Sequence, residues 1–170
     1  MASNQLSDFS AYIENLCKTH VDVLHSDDNK HFLELNDNQQ LTDQKVLCYP
    51  LVTLEKLTVT YPGGEDFMNK NRYVEMMFLA SAGKADFVKI QQQKNNMERI
   101  AEDYLKRIKL DKRDRKKYPF LRNLAISDIE LNFVEIAALD LYGALLSFNF
   151  ELSFDEVLDR DRFTDLTSES

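Results

Sequence analysis

Three features of this 170-residue sequence predict an α+β fold, a mostly antiparallel sheet with one long helix packed on a face and an N-terminal helix beside it. First, from Leu146 every second residue is large and apolar (Leu146, Phe148, Phe150, Leu152, Phe154), with Ser147, Asn149, Glu151 and Ser153 between them. A period of two marks a strand with one dry and one wet face. Second, between Asp86 and Leu110, the residues Phe87, Ile90, Met97, Ile100, Ala101, Tyr104, Leu105 and Ile108 recur at steps of three and four, the apolar stripe of a helix. Third, the other strand patterns come in runs on either side of that helix. Runs of strands with a single crossing helix indicate α+β, whereas regular strand–helix alternation would indicate α/β.

Taken in order, Ser7 is a candidate N-cap with Asp8 in the first turn, where the helix dipole favours an anion. Phe9, Tyr12, Ile13, Leu16 and Cys17 keep a helical rhythm, so a first helix is expected from about Asp8 to His20. Ser26 to Asn29 is a turn cluster, Phe32 to Leu35 a short strand, and the polar tract 36–44 an exposed loop. Val46 to Leu54 reads as a buried strand in which Pro50, having no N–H, requires an edge or a bulge. Leu57, Val59 and Tyr61 alternate with Thr58 and Thr60 as a further strand. Pro62-Gly63-Gly64 is expected to be a sharp turn, and the polar tract 65–71 a loop that carries Phe67 and Met68.

Tyr73 to Ala82 is a strongly apolar strand that Gly83 ends. Asp86 caps the long helix, and Gln91 to Asn95 thin its stripe, so that end is expected to be the more exposed. A connector with Pro119 leads to a strand in which Ile129, Leu131 and Phe133 alternate with polar residues, then to the apolar bend Ile136 to Leu139. Gly143 admits a bulge or the close approach of another backbone, and the short link between the last two strands predicts an antiparallel hairpin. The helix stripe is expected to cover the face that carries Phe148 and Phe150. Residues 1–154 therefore form one α+β domain. Residues 155–170 form an acidic tail, flexible alone or docking on a partner through Leu158, Phe163 and Leu166.

Composition excludes several classes. A net charge of -8 argues against general binding of nucleic acid through its phosphates. No apolar run approaches the roughly 18 residues of a membrane span. The first 20 residues are polar with no basic start, so no signal peptide is expected. Cys17 and Cys48 lie far apart and are expected to be buried free thiols in a reducing compartment. His20, His25 and His31 are spaced five and six apart, not the four that puts two imidazoles on one helical turn, and read as polar surface or turn residues. Gly63-Gly64 lacks the Lys-Ser/Thr of a phosphate loop, and no serine sits in a Gly-x-Ser-x-Gly elbow. No catalytic, cofactor-binding or metal-binding residue is assigned.

The charge is uneven, and that asymmetry carries the functional expectation. Residues 1–44 and 155–170 are acidic, whereas Lys109, Lys112, Arg113, Arg115, Lys116 and Lys117 form a basic island with Asp111 and Asp114 inside it. Opposite patches of this kind suit a subunit that meets its neighbours. The candidate interface residues are those six cations together with Phe67, Met68 and Phe163, with Val134 and Leu145 apolar at outward strand positions.

The order of elements resembles that of small neck and upper-tail subunits of tailed bacteriophages, tail terminator proteins above all. The likeness is carried by the N-terminal helix with the His20/His25 stretch, by Phe32, and by Tyr49-Pro50 leading to Val52 and Leu54. It continues through the strand Tyr73 to Ala82, through Glu98, Ile100 and Tyr104 to Ile108, and through Tyr142-Gly143 before the Phe148/Phe150 strand. The resemblance implies a non-enzymatic, cofactor-free subunit of the virion neck or tail, made in the cytoplasm of the host bacterium. It implies a homo-oligomeric ring, commonly a hexamer, that ends tube growth and joins the head-side connector. The implied partners are further copies of the chain and other neck, portal-side or tail-tube proteins, with no membrane and no nucleic acid except DNA passing through the ring lumen. The tract 36–44 and the extension after Asp155 depart from the family pattern. The residues alone leave a second class open, a small intracellular binding or adaptor domain, monomeric or dimeric.

Overall fold

The computed structural model describes residues 5–35, 41, 47–55, 58–60, 63–64, 67–82, 86–114, 116–121 and 125–153. The chain runs through α1 (Gln5–Thr19), β1 (Lys30–Leu35), β2 (Leu47–Glu55), β3 (Thr58–Thr60), β4 (Gly63–Gly64), β5 (Phe67–Ser81), α2 (Phe87–Asp111), β6 (Ala125–Ile136) and β7 (Leu141–Ser153). Short 3-10 turns occupy Pro119–Leu121 and Ala137–Leu139. The sheet order is β1-β2-β5-β7-β6, and the short β3 and β4 pair with the first half of β5. Only the β1–β2 pairing is parallel among these; the rest are antiparallel. The fold is α+β, as the patterning predicts.

β5 and β7 form the spine. Their ladder runs unbroken from Asn69–Ser153 to Ser81–Leu141, roughly 40 Å at the usual strand rise. Alternation sends Val74, Met76, Phe78 and Ala80 of β5, and Ala144, Leu146 and Phe148 of β7, to one face. There they meet Met97, Ile100, Ala101, Tyr104 and Ile108 of α2 and Phe9, Tyr12, Ile13, Leu16 and Cys17 of α1 in a single core. Phe78 and Tyr104 pack edge-on with ring centroids 5.1 Å apart. The expected cover of the Phe148 face by α2 is therefore present; the side chains of Phe150 and Leu152, and all of Phe154, lie outside the described residues.

The helix ends differ in part from expectation. Asp86 caps α2 by accepting from the Val88 N–H at 3.0 Å. The stripe begins its burial only at Met97, however, and Phe87 is 78% exposed rather than part of the core. A 25-residue helix is about 37 Å long, and its first turns run beyond the packed stretch. α1 starts by Gln5, so Ser7 lies inside the helix and is not its cap.

The sheet is apolar on both faces, which the polar alternation of β7 conceals. Leu35, Leu41, Leu51, Met77, Leu79 and Leu141 are buried together opposite the helices, with Leu145, Val134, Ile136 and Leu139 packed against them. This corrects two expectations. Leu41 is buried although it lies in the tract 36–44 read as an exposed loop, and Leu145 and Val134 are half-buried rather than open to a partner. One leucine among polar neighbours leaves no periodic signal, and an outward position is only known to be covered once the chain is folded.

Local irregularities have local causes. Lys30 pairs with Leu47 but Phe32 with Val52, so β2 bulges between, and Pro50 sits in that bulge. The β2–β5 ladder begins at Leu51, so the missing Pro50 N–H costs no bond. Gly63 and Gly64 pair with Met68 and Phe67, so they are strand residues rather than the predicted turn. Phe67 and Met68 accordingly begin β5 instead of lying in a loop, although their side chains are outside the described residues.

β6 shifts register between Ser127 and Glu130, with Asp128 in the left-handed region (φ 50) and its carboxylate accepting from Ser127 Oγ and Asn149 Nδ2. The shift lets Ile126 and Leu131 both reach the helix-side core. Ile129 and Phe133, predicted to point inward, are exposed on this outermost described strand. Cys17 is buried as expected, whereas Cys48 is half-buried; both are free thiols. No helix among the described residues is long and apolar enough to cross a membrane.

Two substitutions test the spine. Phe148→Ala is expected to lower unfolding free energy by about 3–5 kcal/mol in a denaturant titration. Gly143→Ala is expected to cost at least as much, because the new Cβ would be driven into the Phe78 carbonyl of β5.

Candidate interaction site

The basic island is a built turn. Ile108 and Asp111 are buried on the inner side of the end of α2. Asp111 Oδ2 accepts from the Tyr12 hydroxyl at 2.9 Å and from Arg107 Nε at 2.8 Å, tying the helix end to α1. Burial and the hydrogen bond to Asp111 push the Tyr12 phenol well above its ordinary range, so it is a donor throughout the working range of pH. The same carboxylate holds Arg107 above its ordinary value. The chain then closes on itself: Lys112 N donates to Ile108 O, Arg113 N to Leu110 O, and Asp114 N to Asp111 O. Asp114 Oδ1 accepts from Lys116 N and Lys117 N. Edge-on contacts of the Tyr118 and Phe120 rings with Tyr12, at 5.2 and 5.7 Å, hold the exit. The two aspartates, which in the sequence only dilute the charge, are the pins of the turn.

The cations are left outward. Lys109, Arg113, Lys116 and Lys117 are exposed and Lys112 is half-buried, and none of the five forms an ion pair among the described residues. Lys117 Nζ lies 5.1 Å from the centre of the Tyr118 ring. Elsewhere Lys18 pairs with Glu14, Lys94 with Glu135, Arg99 with Asp22, Lys106 with Glu102 and Arg107 with Asp111, whereas Lys30 and Lys89 are exposed without an ion pair among the described residues. The remaining candidates, Arg115 and Phe163, lie outside the described residues, and only the backbone positions of Phe67 and Met68 are described.

The three histidines are structural, which their spacing did not reveal. His31 Nδ1 donates to Pro50 O at 2.7 Å and fastens β1 to the β2 bulge. His25 Nδ1 accepts from the His31 N–H at 3.0 Å, and its Nε2 lies 3.8 Å from Glu14. His20 Nδ1 accepts from Asp22 N, and its Nε2 lies 3.8 Å from Asp103 in a cleft of about 300 Å³ between α1 and α2, floored by Leu16 and Tyr104.

Among the described residues that cleft holds a histidine and a carboxylate but no activated nucleophile. The Thr19 hydroxyl donates to Asn15 O, and Cys17 Sγ accepts from the Tyr104 hydroxyl at 3.1 Å. Burial pushes the Cys17 thiol up to about 12, so it stays protonated at neutral pH. Among the described residues no three His, Cys, Asp or Glu side chains converge as a metal site.

One charged feature escaped sequence reasoning. On the face opposite the helices, Glu75 and Glu130 are both register partners of Ser147, and Glu55 lies one step past the Leu54–Met76 pair. Burial and the Glu75 carboxylate beside it raise the Glu55 carboxyl above its ordinary value. No spacing within one strand signals this row, because only inter-strand register assembles it.

No known family model and no curated protein matches this chain.

Removing the pin is expected to loosen the turn. Asp111→Ala leaves the buried Tyr12 hydroxyl unpartnered and is expected to cost about 1–3 kcal/mol by denaturant titration, with Asp111→Asn costing less. A second expectation concerns pH. Burial lowers His25 below its ordinary 6.5, with Glu14 opposing, so the unfolded chain takes up that proton first. The contribution is complete above 6.5 and is lost as pH falls toward the lowered value. His25→Asn keeps an acceptor for the His31 N–H and is expected to flatten the loss of melting temperature below 6.5.

Proposed function

We propose that the chain is a non-enzymatic structural subunit that assembles with copies of itself into a ring, and that this ring ends the tail tube of a tailed bacteriophage and joins it to the head-side connector. The carrying observation is the basic turn, pinned from within by Asp111 and Asp114, with its lysines and Arg113 in no ion pair among the described residues. A surface ordered before its partner arrives loses little conformational entropy on binding, which suits an assembly contact. The α+β fold supports the reading, since a long helix across an antiparallel sheet with the last two strands paired is the arrangement the resemblance implies. On this reading the protein is a virion component, its partners are its own copies and neighbouring neck, portal-side or tail-tube proteins, and a hexamer is the expected ring. One observation favours a second reading, an adaptor domain: the α1–α2 cleft has an apolar floor and the size of a small binding site.

Direct imaging of assembled particles tests the proposal. The chain is expected as one closed ring at a tube end. An isolated monomer or dimer at every concentration, absent from particles and indifferent to charge reversal at Lys112 and Arg113, would overturn it in favour of the adaptor.

A further inference from the structure

Two surfaces of this chain carry charge with no ion pair among the described residues. One is the basic turn. The other is the row formed by Glu55, Glu75 and Glu130 across β2, β5 and β6, with Ser147 of β7 between the last two. Like charges opposite one another on adjacent strands destabilise a sheet. The Tyr73 hydroxyl donates to Glu75 Oε1 at 3.2 Å, but among the described residues no lysine, arginine or histidine pairs with any of the three carboxylates.

The two surfaces cannot meet within one subunit. Alternation along β5 puts Glu75 on the side of Met77 and Leu79, whereas Val74, Met76 and Phe78 face the helices. The basic turn leaves α2 and is held by Tyr118 and Phe120 against the helix-side core. The patches thus lie on opposite sides of the sheet. A two-fold dimer could pair unlike patches only if both lay in the one shared interface; unlike patches on opposite faces join copies head to tail, and such contacts close into rings when the rotation allows.

We propose that the basic turn of one copy docks on the carboxylate row of the next. This rests on the self-assembly reading above and adds the surface that receives the turn. The chemistry fits on both sides. Arg113 offers a planar fork for a carboxylate, and the lysines supply compact charges that reach single carboxylates. An arriving cation also relieves the repulsion between Glu55 and Glu75, so the feature that costs the free subunit stability strengthens the contact.

Carbodiimide coupling joins carboxylates to amines in direct contact. Applied to an equal mixture of isotopically heavy and light full-length chain, it is expected to yield heavy–light peptides linking Glu55, Glu75 or Glu130 to Lys109, Lys112, Lys116 or Lys117. Two reversed variants, Glu75→Lys with Glu130→Lys and Lys112→Glu with Arg113→Glu, are each expected to weaken self-association by about tenfold or more. Mixing the two is expected to restore association, since the reversed surfaces are again complementary; that recovery excludes misfolding as the cause of the loss. Heavy–light links confined to other surfaces, no such links, or no recovery on mixing would overturn the contact. A ring whose copies link elsewhere overturns the contact and leaves the ring reading standing. Coupling through these residues in open filaments overturns the ring and leaves the contact.

Discussion

The antiparallel ladder between β5 and β7 is the constraint on which the other elements depend. Its unbroken register fixes, for two long strands at once, which side chains face the helices and which face away. β2 builds outward from β5 and β6 from β7, so an error of one residue in the central pairing would invert both cores. Gly143 contributes by absence: without a side chain it lets β7 run against the Phe78 carbonyl. The two faces are then buried separately, one beneath α1 and α2 and the other around Leu51, Leu79 and Leu141.

Electrostatics follows from that frame. α2 crosses the helix-side face and ends where Asp111 meets Tyr12, so the carboxylate that stops the helix also orients the turn after it. Lys18, Arg99 and Lys106 each pair with a carboxylate, whereas the described cations of the turn keep their charge outward. On the opposite side, register gathers Glu55, Glu75 and Glu130 into one row. The sheet itself separates the two charges, giving the subunit a polarity along its thickness. Exposed charges of this kind act over roughly 8 Å at physiological ionic strength, so they guide copies at contact distance and weaken as salt rises.

The polar side chains that look most like chemistry are used as fasteners. Each histidine engages the backbone through Nδ1, which joins the end of α1, the following loop and β1 to β2. Cys17 and Tyr104 satisfy each other inside the core, where burial keeps both protonated. The Nε2 atoms of His20 and His25 are left facing Asp103 and Glu14 at 3.8 Å.

Periodicity within single elements was legible from residues alone. The helix stripe from Met97 to Ile108, the cap at Asp86, the alternating strand through Phe148 and the close approach at Gly143 all depend on neighbours a few positions away. The sequence likewise showed the basic island, because its cations are adjacent in the chain. What it did not show depends on partners far along the chain. The burial of Leu41, Leu145 and Val134 needs the second core to exist, and the exposure of Phe87 and Phe133 depends on where α2 lies across the sheet. The roles of Asp111, His25 and His31 require atoms 99 residues apart (Tyr12 and Asp111), or 6 and 19 apart (His25–His31 and His31–Pro50), to be brought within hydrogen-bond reach. The carboxylate row is the clearest case, since three glutamates on three strands become neighbours only through register. A sequence carries the period of each element, whereas pairing, crossing angle and register are decided by the free energy of the whole packed sheet, and those set which charges face each other.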